Sequence, residues 1–361
     1  MGDPSIHTQA PDAATFPARV RAAHLVPLWE VMRGMLPMEP RPTARAHHWP
    51  RSQWHPAMHE SVAIVSAEQA ERRVLLLENP GLAGESRIAA TMNCGLQLLL
   101  PGERAHDHRH SQTALRFVIE GEGAVTIVDD RPIPMQPGDF VLTPAYCWHA
   151  HENHGTQPVV WLDGLDVPLA RFMGATFFEP VREGKPARPP SPPPSPVPGE
   201  STAQTLAPAL APVSHMGATQ PSPVHGYPYG PSLAALRADL RAGQVDAWHG
   251  VKRYYANPQD GGHALPTISA YLQLLPGGFE GRAWQSTEAI VYCVAEGSGR
   301  SMLAGPGDTP LAFDWGPGDC FVVPGWVAQR HSAHGDAVLF SFSDGAAQQR
   351  LGMWQERRLP D

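Results

Sequence analysis

The sequence predicts a mainly β protein made of two similar halves. Beyond residue 72, short apolar or alternating runs are separated by Gly, Pro, Asn and Asp, which is typical of antiparallel sandwiches and barrels. In the first half these runs cover residues 73–77, 94–100, 115–120, 124–128, 140–143 and 159–162. The second half repeats the first: FVIEGEGAV (117–125) parallels YCVAEGSGR (292–300), and MQPGDFVLTP (135–144) parallels DWGPGDCFVVP (314–324). A length of 361 residues is sufficient for two such domains.

Four segments follow from these patterns. We expect an N-terminal helical or irregular segment at 1–70, a first β domain at 71–180, a proline-rich linker at 181–231 and a second β domain at 232–361. Helices are predicted over 13–35, 66–70 and 232–241, with Ser66 as N-cap and Gln69 completing a capping box. The tract PARPPSPPPSPVPGE (186–200) lacks the backbone donors of a helix or central strand, so an extended linker is expected. Its PxxP content leaves open a role as a ligand for a partner domain.

Composition argues against several classes of protein. The net charge is -8 and no long basic run occurs, so neither nucleic acid nor a membrane surface is an expected partner. No run of about 18 apolar residues is present, and the first residues lack an apolar signal core. The four cysteines form no Cys-x-x-Cys pair, which fits a reducing compartment, and we expect a cytoplasmic protein.

Histidines carry the clearest chemical signal. His106, His108 and His110 alternate in GERAHDHRH (102–110), and alternate residues of a strand share a face. His149 is a fourth candidate. Clustered neutral imidazoles suit Fe, Zn, Cu or Ni, so the sequence predicts a transition-metal site.

The spacing around these histidines resembles the two cupin motifs. The first motif, G-x5-H-x-H-x3-E-x6-G, is matched at Gly102, His108, His110 and Gly121, with Ala114 where the acid stands. The second, G-x5-P-x-G-x2-H-x3-N, is matched at Gly138, Pro144, His149 and Asn153, with Tyr146 replacing its second glycine. The resemblance implies a bicupin: two double-stranded β-helix (jelly-roll) barrels with short flanking helices.

This register selects His108, His110 and His149 as metal ligands. His106 becomes a residue of the site's mouth or one that supports the ligands. Because Ala114 cannot coordinate, the site has three neutral ligands, and an Fe(II) ion bound there would keep its full charge. Such a site favours an anionic, bidentate substrate together with O2.

More widely, the chain resembles gentisate 1,2-dioxygenases and the related salicylate and 1-hydroxy-2-naphthoate dioxygenases. The resemblance is carried by LQLLLPGE (96–103), HRHSQTALRFVIEGEG (108–123), PGDFVLTP (137–144), WLDGLDVPL (161–169) and STEAIVYCVAEGSGRS (286–301). It implies an Fe(II) cofactor, O2 as co-substrate and a small aromatic 2-hydroxy acid as substrate. With gentisate, ring cleavage between the carboxyl- and hydroxyl-bearing carbons would give maleylpyruvate. It also implies a homo-oligomer, commonly a tetramer.

Candidate substrate and catalytic residues surround the predicted ligands. Arg116 shares parity with His108 and His110 and would hold the substrate carboxylate, the alternative being a salt bridge to a protein acid. Arg72 is a second candidate for anion contact, or else a structural ion pair. His151 shares parity with His149 and would act as acid or base, unless it only supports the ligands.

The remaining candidates line the pocket. Asp163 would accept a hydrogen bond from a ring hydroxyl or orient a histidine, although turn chemistry is an alternative. Gln97 and Gly95 would line or shape the pocket, Gly95 by permitting close approach. Asn93 lies where substrate choice would be tuned.

The second half departs from the motifs. Aligning Gly297 with Gly121 places Trp284 and Ser286 at the His-x-His positions, and Gln329 replaces the third histidine. His331 and His334 lie nearby, but no metal set is expected, so we predict that this barrel serves packing and subunit contact.

Three alternatives remain open. The same chemistry would suit salicylate or 1-hydroxy-2-naphthoate. Another three-histidine cupin oxygenase would act on a non-aromatic substrate. A non-catalytic cupin would only bind a metal or a small molecule.

Overall fold

The structure, a computed structural model, describes residues 14–181, 222–305 and 309–360, and most of the predicted linker lies outside these residues. It divides into two compact units, Met1–Arg41 and Pro42–Asp361. The first unit contains α1 (Phe16–Ala22) and α2 (Leu28–Met35), so the helix predicted over 13–35 is in fact two helices. They are separated by His24, whose φ is 55°, and by Pro27, which has an extended backbone.

The second unit contains two β barrels, each formed by a six-stranded and a five-stranded sheet. In the first barrel the six-stranded sheet has the order β12-β8-β5-β10-β3-β2 and the five-stranded sheet the order β11-β4-β9-β6-β7. The strands are β2 (Val74–Leu76), β3 (Asn93–Leu99), β4 (Arg104–His110), β5 (Ala114–Glu120), β6 (Ala124–Val128), β7 (Arg131–Met135), β8 (Phe140–Thr143), β9 (His149–Asn153), β10 (Val159–Leu165), β11 (Phe178–Pro180) and β12 (Gly226–Tyr227).

The second barrel repeats this plan, with the orders β1-β19-β16-β21-β14-β13 and β18-β17-β20-β15-β22. Its strands are β1 (His47–Trp49), β13 (Val251–Tyr254), β14 (Ser269–Leu275), β15 (Trp284–Ser286), β16 (Ile290–Glu296), β17 (Gly299–Ala304), β18 (Leu311–Trp315), β19 (Cys320–Val323), β20 (Ala328–Ala333), β21 (Ala337–Ser343) and β22 (Glu356–Arg358). The six runs predicted in the first half correspond to β2, β3, β5, β6, β8 and β10, within a few residues at their ends.

The two six-stranded sheets pack face to face and form the largest core. Phe117 of β5 stacks on Phe340 of β21 with ring centroids 4.2 Å apart. Strands β8, β10 and β21 are buried along both faces, which explains their continuous apolar sequences. Residues on the other face of the first barrel's sheet, such as Val118 and Trp161, form a separate core inside that barrel.

Two segments cross between the barrels, and we call them the reciprocal arms. The first arm (residues 47–64) comprises β1 and α3 (Arg51–Ile64), and β1 pairs with β19 of the second barrel. The second arm (residues 226–241) comprises β12 and α6 (Tyr229–Arg241), and β12 pairs with β8 of the first barrel. Each half of the chain therefore completes the sheet of the other half.

A carboxylate from the receiving barrel caps each arm helix. Asp319 Oδ1 accepts a hydrogen bond from the backbone N–H of Arg51 at 2.7 Å, and Asp139 Oδ1 accepts one from Tyr229 at 2.8 Å. Burial alone would raise the pKa of Asp319, but hydrogen bonds from His48 and from the backbone of Arg51 hold that pKa below its ordinary value. The carboxylates thus satisfy N–H groups that helix starts leave unpaired.

The remaining helices are short. The predicted capping box is present in α4 (Ala67–Ala70), where Ser66 and Gln69 exchange hydrogen bonds. Helix α6 begins at Tyr229, directly after the extended Pro228, and not at the predicted residue 232. The others are α5 (Val167–Phe172), α7 (Gly345–Arg350) and a 3-10 turn (Pro80–Leu82). Among the described residues, no helix has the length and apolar character needed to cross a bilayer.

Candidate active site

Two neighbouring strands of the first barrel bring the three predicted ligands together. His108 lies on β4 and pairs with His149 on β9, and His110 follows on β4. The alternation expected for His106 fails because the register shifts between Ala105 and His108. This irregularity turns Ala105 inward and leaves His106 exposed. Only His108 and His110 of the three alternating histidines therefore point into the barrel.

Backbone carbonyls fix the orientation of all three buried rings. The Nδ1 atoms of His108, His110 and His149 lie 3.0, 2.9 and 3.1 Å from the carbonyl oxygens of His106, Gln112 and Cys147. A carbonyl only accepts, so each Nδ1 carries the hydrogen and each Nε2 keeps a free lone pair. The candidate ligand atoms lie within 4.8 Å of one another.

Electrostatics keep these histidines neutral. Burial, with Arg72 adding to it, lowers the pKa of His108 to about 2, and burial followed by Arg116 and Arg72 lowers that of His110 to about 4. The pKa of His149 lies well below its ordinary value for the same main reason. Its Nε2 is buried and has no hydrogen-bond partner. A neutral triad with an unsatisfied inward nitrogen is what a transition-metal ion requires.

Arg116 lies beside this triad, on a different strand from the two histidines with which it shares parity. It belongs to β5 of the six-stranded sheet, whereas His108 and His110 lie on β4 of the other sheet. Its Nη1 donates to Thr143 Oγ1 at 2.7 Å, and its Nε lies 3.5 Å from Asp163 Oδ1 without a hydrogen bond. Both interpretations of Arg116 therefore have support. It faces a protein acid, as a salt bridge requires, and it keeps an unsatisfied donor that a substrate carboxylate could use.

Asp163 is a buried carboxylate within this group. It sits on β10, opposite Arg116 of β5 on one side and Gly95 of β3 on the other. Trp161 Nε1 donates to its Oδ1 at 3.0 Å. Burial raises the pKa of Asp163 to about 6, although Arg116 and the Trp161 hydrogen bond act in the opposite direction.

Arg72 precedes β2 and is partly buried. Burial lowers its pKa, while the charge of Asp163 raises it. Its neighbour in sequence is a structural residue: Arg73 donates to both carboxylate oxygens of Glu103 at 2.9 and 3.0 Å. Arg72 therefore adds a second positive charge to the side of the site where Asp163 lies.

His151 faces the barrel interior as its parity with His149 predicted, with their ring centroids 5.9 Å apart. Its Nδ1 lies 2.9 Å from Thr126 Oγ1, and burial lowers its pKa well below the usual value. It is therefore neutral and held by a hydroxyl group of the neighbouring strand β6.

Alternate positions of β3 line the same side. Gln97 is buried, and its Nε2 has no hydrogen-bond partner. A Cβ atom at Gly95 would lie 2.6 Å from Val74 Cγ1, so the absence of a side chain is required there. Asn93 begins the strand, and its side-chain amide donates to the carbonyl of Ser86.

The equivalent positions of the second barrel are filled by the protein itself. Trp284 of β15 pairs with Gln329 of β20 as His108 pairs with His149, which agrees with the sequence alignment. Gln329 Oε1 accepts from Tyr292 at 2.8 Å and lies 3.2 Å from His331 Nε2.

Three residues of the site were missed by the sequence analysis: Thr126, Thr143 and Trp161. Each holds a functional side chain through one hydrogen bond. A signal existed for two of them, because Thr126 is one of the alternating inward positions of β6 and Thr143 is the last residue but one of the repeated PGDFVLTP segment.

Comparisons with known proteins agree with this geometry. A cupin-domain family model matches residues 95–165. Gentisate 1,2 dioxygenase 1 of Aquipseudomonas alcaligenes is 43% identical over 345 residues, with 95% of each chain covered. A gentisate 1,2-dioxygenase of a Streptomyces species is 35% identical, covering 93% of this chain and 92% of its own. The crystal structure of a salicylate 1,2-dioxygenase from Pseudaminobacter salicylatoxidans superposes with a TM-score of 0.81 at 32% identity, covering 99% of both chains.

Fold and site together define a bicupin ring-cleaving dioxygenase, which confirms the predicted fold class and enzyme class. The chain belongs to the gentisate 1,2-dioxygenase family.

Proposed function

We propose that this protein is an Fe(II)-dependent dioxygenase that opens the ring of gentisate between its carboxyl- and hydroxyl-bearing carbons, giving maleylpyruvate. One observation carries the proposal: three neutral imidazoles converge beside a buried guanidinium, and no carboxylate belongs to the ligand set. The family supports the reaction class, since its members that resemble this chain are named as dioxygenases.

His108, His110 and His149 would hold the iron through their Nε2 atoms. Three imidazoles alone would also accept Zn or Cu, so iron is inferred from the reaction class. When bound, iron supplies the positions for chelation of substrate and the redox chemistry that activates O2. The backbone carbonyls that accept from the Nδ1 atoms keep the rings in the required tautomer.

Charge selects an anionic substrate. Arg116 and Arg72 contribute two positive charges beside the triad, and Asp163 contributes one negative charge. Adding a divalent metal makes the site strongly positive, which favours a carboxylate together with a phenolate. The Arg116 guanidinium would bind the substrate carboxylate through its fork.

The other site residues would orient the ring. His151, neutral and anchored by Thr126, would accept or return a proton at its free ring nitrogen. Gln97 offers an unpaired amide donor, and Gly95, opposite Asp163, would shape the pocket wall by permitting the close approach of Val74. Asn93, at the start of the same strand, would influence the size of substituent accepted.

Asp163 would favour gentisate by accepting a hydrogen bond from its second hydroxyl group. A buried acceptor left unpaired by an analogue that lacks this group costs affinity. Salicylate and 1-hydroxy-2-naphthoate remain alternative substrates, since a related salicylate enzyme has been solved with gentisate and a relative is named for the naphthoate. A role limited to binding is not favoured, because the relatives are enzymes.

The test is turnover by protein reconstituted with Fe(II) under anaerobic conditions. Oxygen uptake is measured with gentisate, salicylate and 1-hydroxy-2-naphthoate in parallel, and the product is identified by mass spectrometry. We expect the highest kcat/KM with gentisate and a product heavier by two oxygen atoms. Absence of uptake with all three acids, from folded protein that retains iron, would disprove the proposal.

We also propose that the enzyme is a cytoplasmic homo-oligomer, a tetramer by family resemblance. The four cysteines are free, which suits a reducing compartment. Light scattering coupled to gel filtration would give the oligomeric state, and a monomeric mass would contradict it.

A further inference from the structure

A second group of metal-ligating side chains lies outside both barrels, at the junction between them. It consists of His55 and His59 on α3 and Glu120 at the end of β5. The two histidines are four residues apart in HPAMH (55–59), the helical spacing that places two imidazoles on one face. Their ligand atoms and those of Glu120 lie within 4.8 Å of one another.

Hydrogen bonds within this group do not satisfy all of its polar atoms. His55 Nε2 lies 2.9 Å from Glu120 Oε1 and also 3.3 Å from His59 Nε2. A neutral ring nitrogen has either one hydrogen or one lone pair in the ring plane, so it cannot serve both partners well. A cation placed between the three atoms would be coordinated by all of them.

Contacts within the protein hold this group in position without a bound ion. Trp54 and Met58, on the adjoining face of α3, are buried in the core, and Trp54 Nε1 donates to the carbonyl of Gly318 at 3.0 Å. Arg51 contacts the second oxygen of Glu120, which orients the carboxylate and leaves Oε1 turned toward the histidines. The side chains of His55 and Glu120 are 28% and 27% exposed, so an ion and a completing water molecule have access.

We propose that His55, His59 and Glu120 form a second metal site that takes Zn2+ or a similar borderline divalent ion. Two imidazoles, one carboxylate oxygen and a water molecule make up a tetrahedral set of the kind Zn2+ prefers. The ion joins α3, which is docked on the second barrel, to β5 of the first barrel. It therefore acts as a structural clamp across the junction, independent of the iron triad.

The test uses iron-loaded protein and Zn2+ as the probe. Zinc and iron per chain are measured by equilibrium dialysis and elemental analysis for the wild type, for His59→Ala and for Glu60→Ala, an exposed neighbour on the same helix. We expect one zinc bound beyond the iron in the wild type and in Glu60→Ala, and at least a tenfold weaker affinity in His59→Ala. Because His59 is exposed, its replacement should leave the fold intact.

A stability measurement gives a second readout. Zinc should raise the melting temperature of the wild type and of Glu60→Ala but leave that of His59→Ala unchanged, since only binding to the folded state stabilises it. Equal zinc affinity in His59→Ala, or zinc uptake matched by loss of iron in the wild type, would overturn the proposal.

Discussion

At the residue scale, the two barrels provide an internal comparison for His151. His151 meets the hydroxyl group of Thr126 at 2.9 Å, and His331, its counterpart in the second barrel, meets that of Ser301 at 2.8 Å. The second barrel has Gln329 where His149 stands in the first. The histidine–hydroxyl pair is therefore compatible with a barrel without the triad, and its contribution to stability can be measured separately from any contribution to turnover.

We predict that Thr126→Val and Ser301→Ala each lower the free energy of unfolding by about 1–3 kcal/mol, because each leaves a buried imidazole nitrogen without its partner. Ser301→Ala also removes the acceptor of the Trp315 Nε1 hydrogen bond, so its effect should be the larger of the two. If His151 moves a proton, Thr126→Val also lowers kcat by roughly tenfold, whereas Ser301→Ala does not. Urea denaturation and oxygen uptake give the two quantities. Equal kcat values for both variants would assign His151 a purely structural role.

Arg116 supports a second prediction. Replacing it with Ala removes the anion-binding fork and leaves Asp163 buried without its cation, so kcat/KM for gentisate should fall by about 100-fold or more. The fall should appear mainly in KM if the guanidinium holds the carboxylate in ground and transition states alike. Arg104→Ala, whose side chain is 46% exposed, is the matched control and should retain activity. Unchanged kinetics in Arg116→Ala would reassign Arg116 to the ion pair with Asp163 alone.

Motif spacing was sufficient to predict from sequence that His108, His110 and His149 lie together, because it counts residues and does not depend on which way each side chain points. The outward orientation of the His106 side chain could not be predicted from the sequence. It depends on a register irregularity between β4 and β9 that the residues GERAHDHRH (102–110) do not indicate. The strand of Arg116 does not follow from its parity with His108 and His110, for a related reason. Parity carries no information across the turn between β4 and β5.

At the element scale, the reciprocal arms show a limit of local sequence patterns. Helix α3 was not predicted, because Pro50 precedes it, Pro56 lies inside it, and only Trp54 and Met58 are buried along its 14 residues. Tertiary contacts stabilise α3 where its helix propensity is low. Asp319 caps the first N–H group of the helix, and the carbonyl of Gly318 accepts a hydrogen bond from Trp54. The pairing of β1 with β19 joins residues about 270 positions apart, which periodicity cannot reveal.

Removal of these caps should destabilise the protein. Asp319→Ala loses the hydrogen bonds to His48 and to the backbone of Arg51, and Asp139→Ala loses the equivalent one to Tyr229. We expect each variant to lower the free energy of unfolding by about 1–3 kcal/mol. Asp314→Ala, whose side chain is 66% exposed, should change it by less than about 0.5 kcal/mol. Urea denaturation measures all three, and a neutral Asp319→Ala would contradict the capping role.

At the scale of the whole molecule, the buried histidines link unfolding to pH. In the folded metal-free protein the pKa values of His108 and His110 are about 2 and about 4, whereas in the unfolded chain both are near 6.5. Below pH 6.5 these two histidines therefore bind more protons in the unfolded state than in the folded state. The contribution of these two histidines to the free energy of unfolding is fully present above pH 6.5. It is lost as the pH falls toward their pKa values in the folded protein.

The expected loss between pH 6.5 and pH 5 is about 1.5 kcal/mol for each of these histidines, since one pKa unit corresponds to about 1.4 kcal/mol and the unfolded imidazole is already half protonated at pH 6.5. The metal-free wild type should thus lose about 3 kcal/mol more than the double variant His108→Gln/His110→Gln over the same interval. Denaturant unfolding at the two pH values measures the difference. Parallel pH dependence in the two proteins would show that these imidazoles are protonated in the folded state.

The domain boundaries at residues 70, 180 and 231 stay predictions. The reciprocal arms show that each barrel also contains a strand from outside its predicted segment. A chain divided between residues 181 and 222 would yield two fragments, each carrying the strand and helix that complete the other. Neither fragment would retain all the strands of its own barrel. Mixed together, they would be expected to recombine through exchange of their arms, because each arm supplies the edge strand that the other fragment lacks.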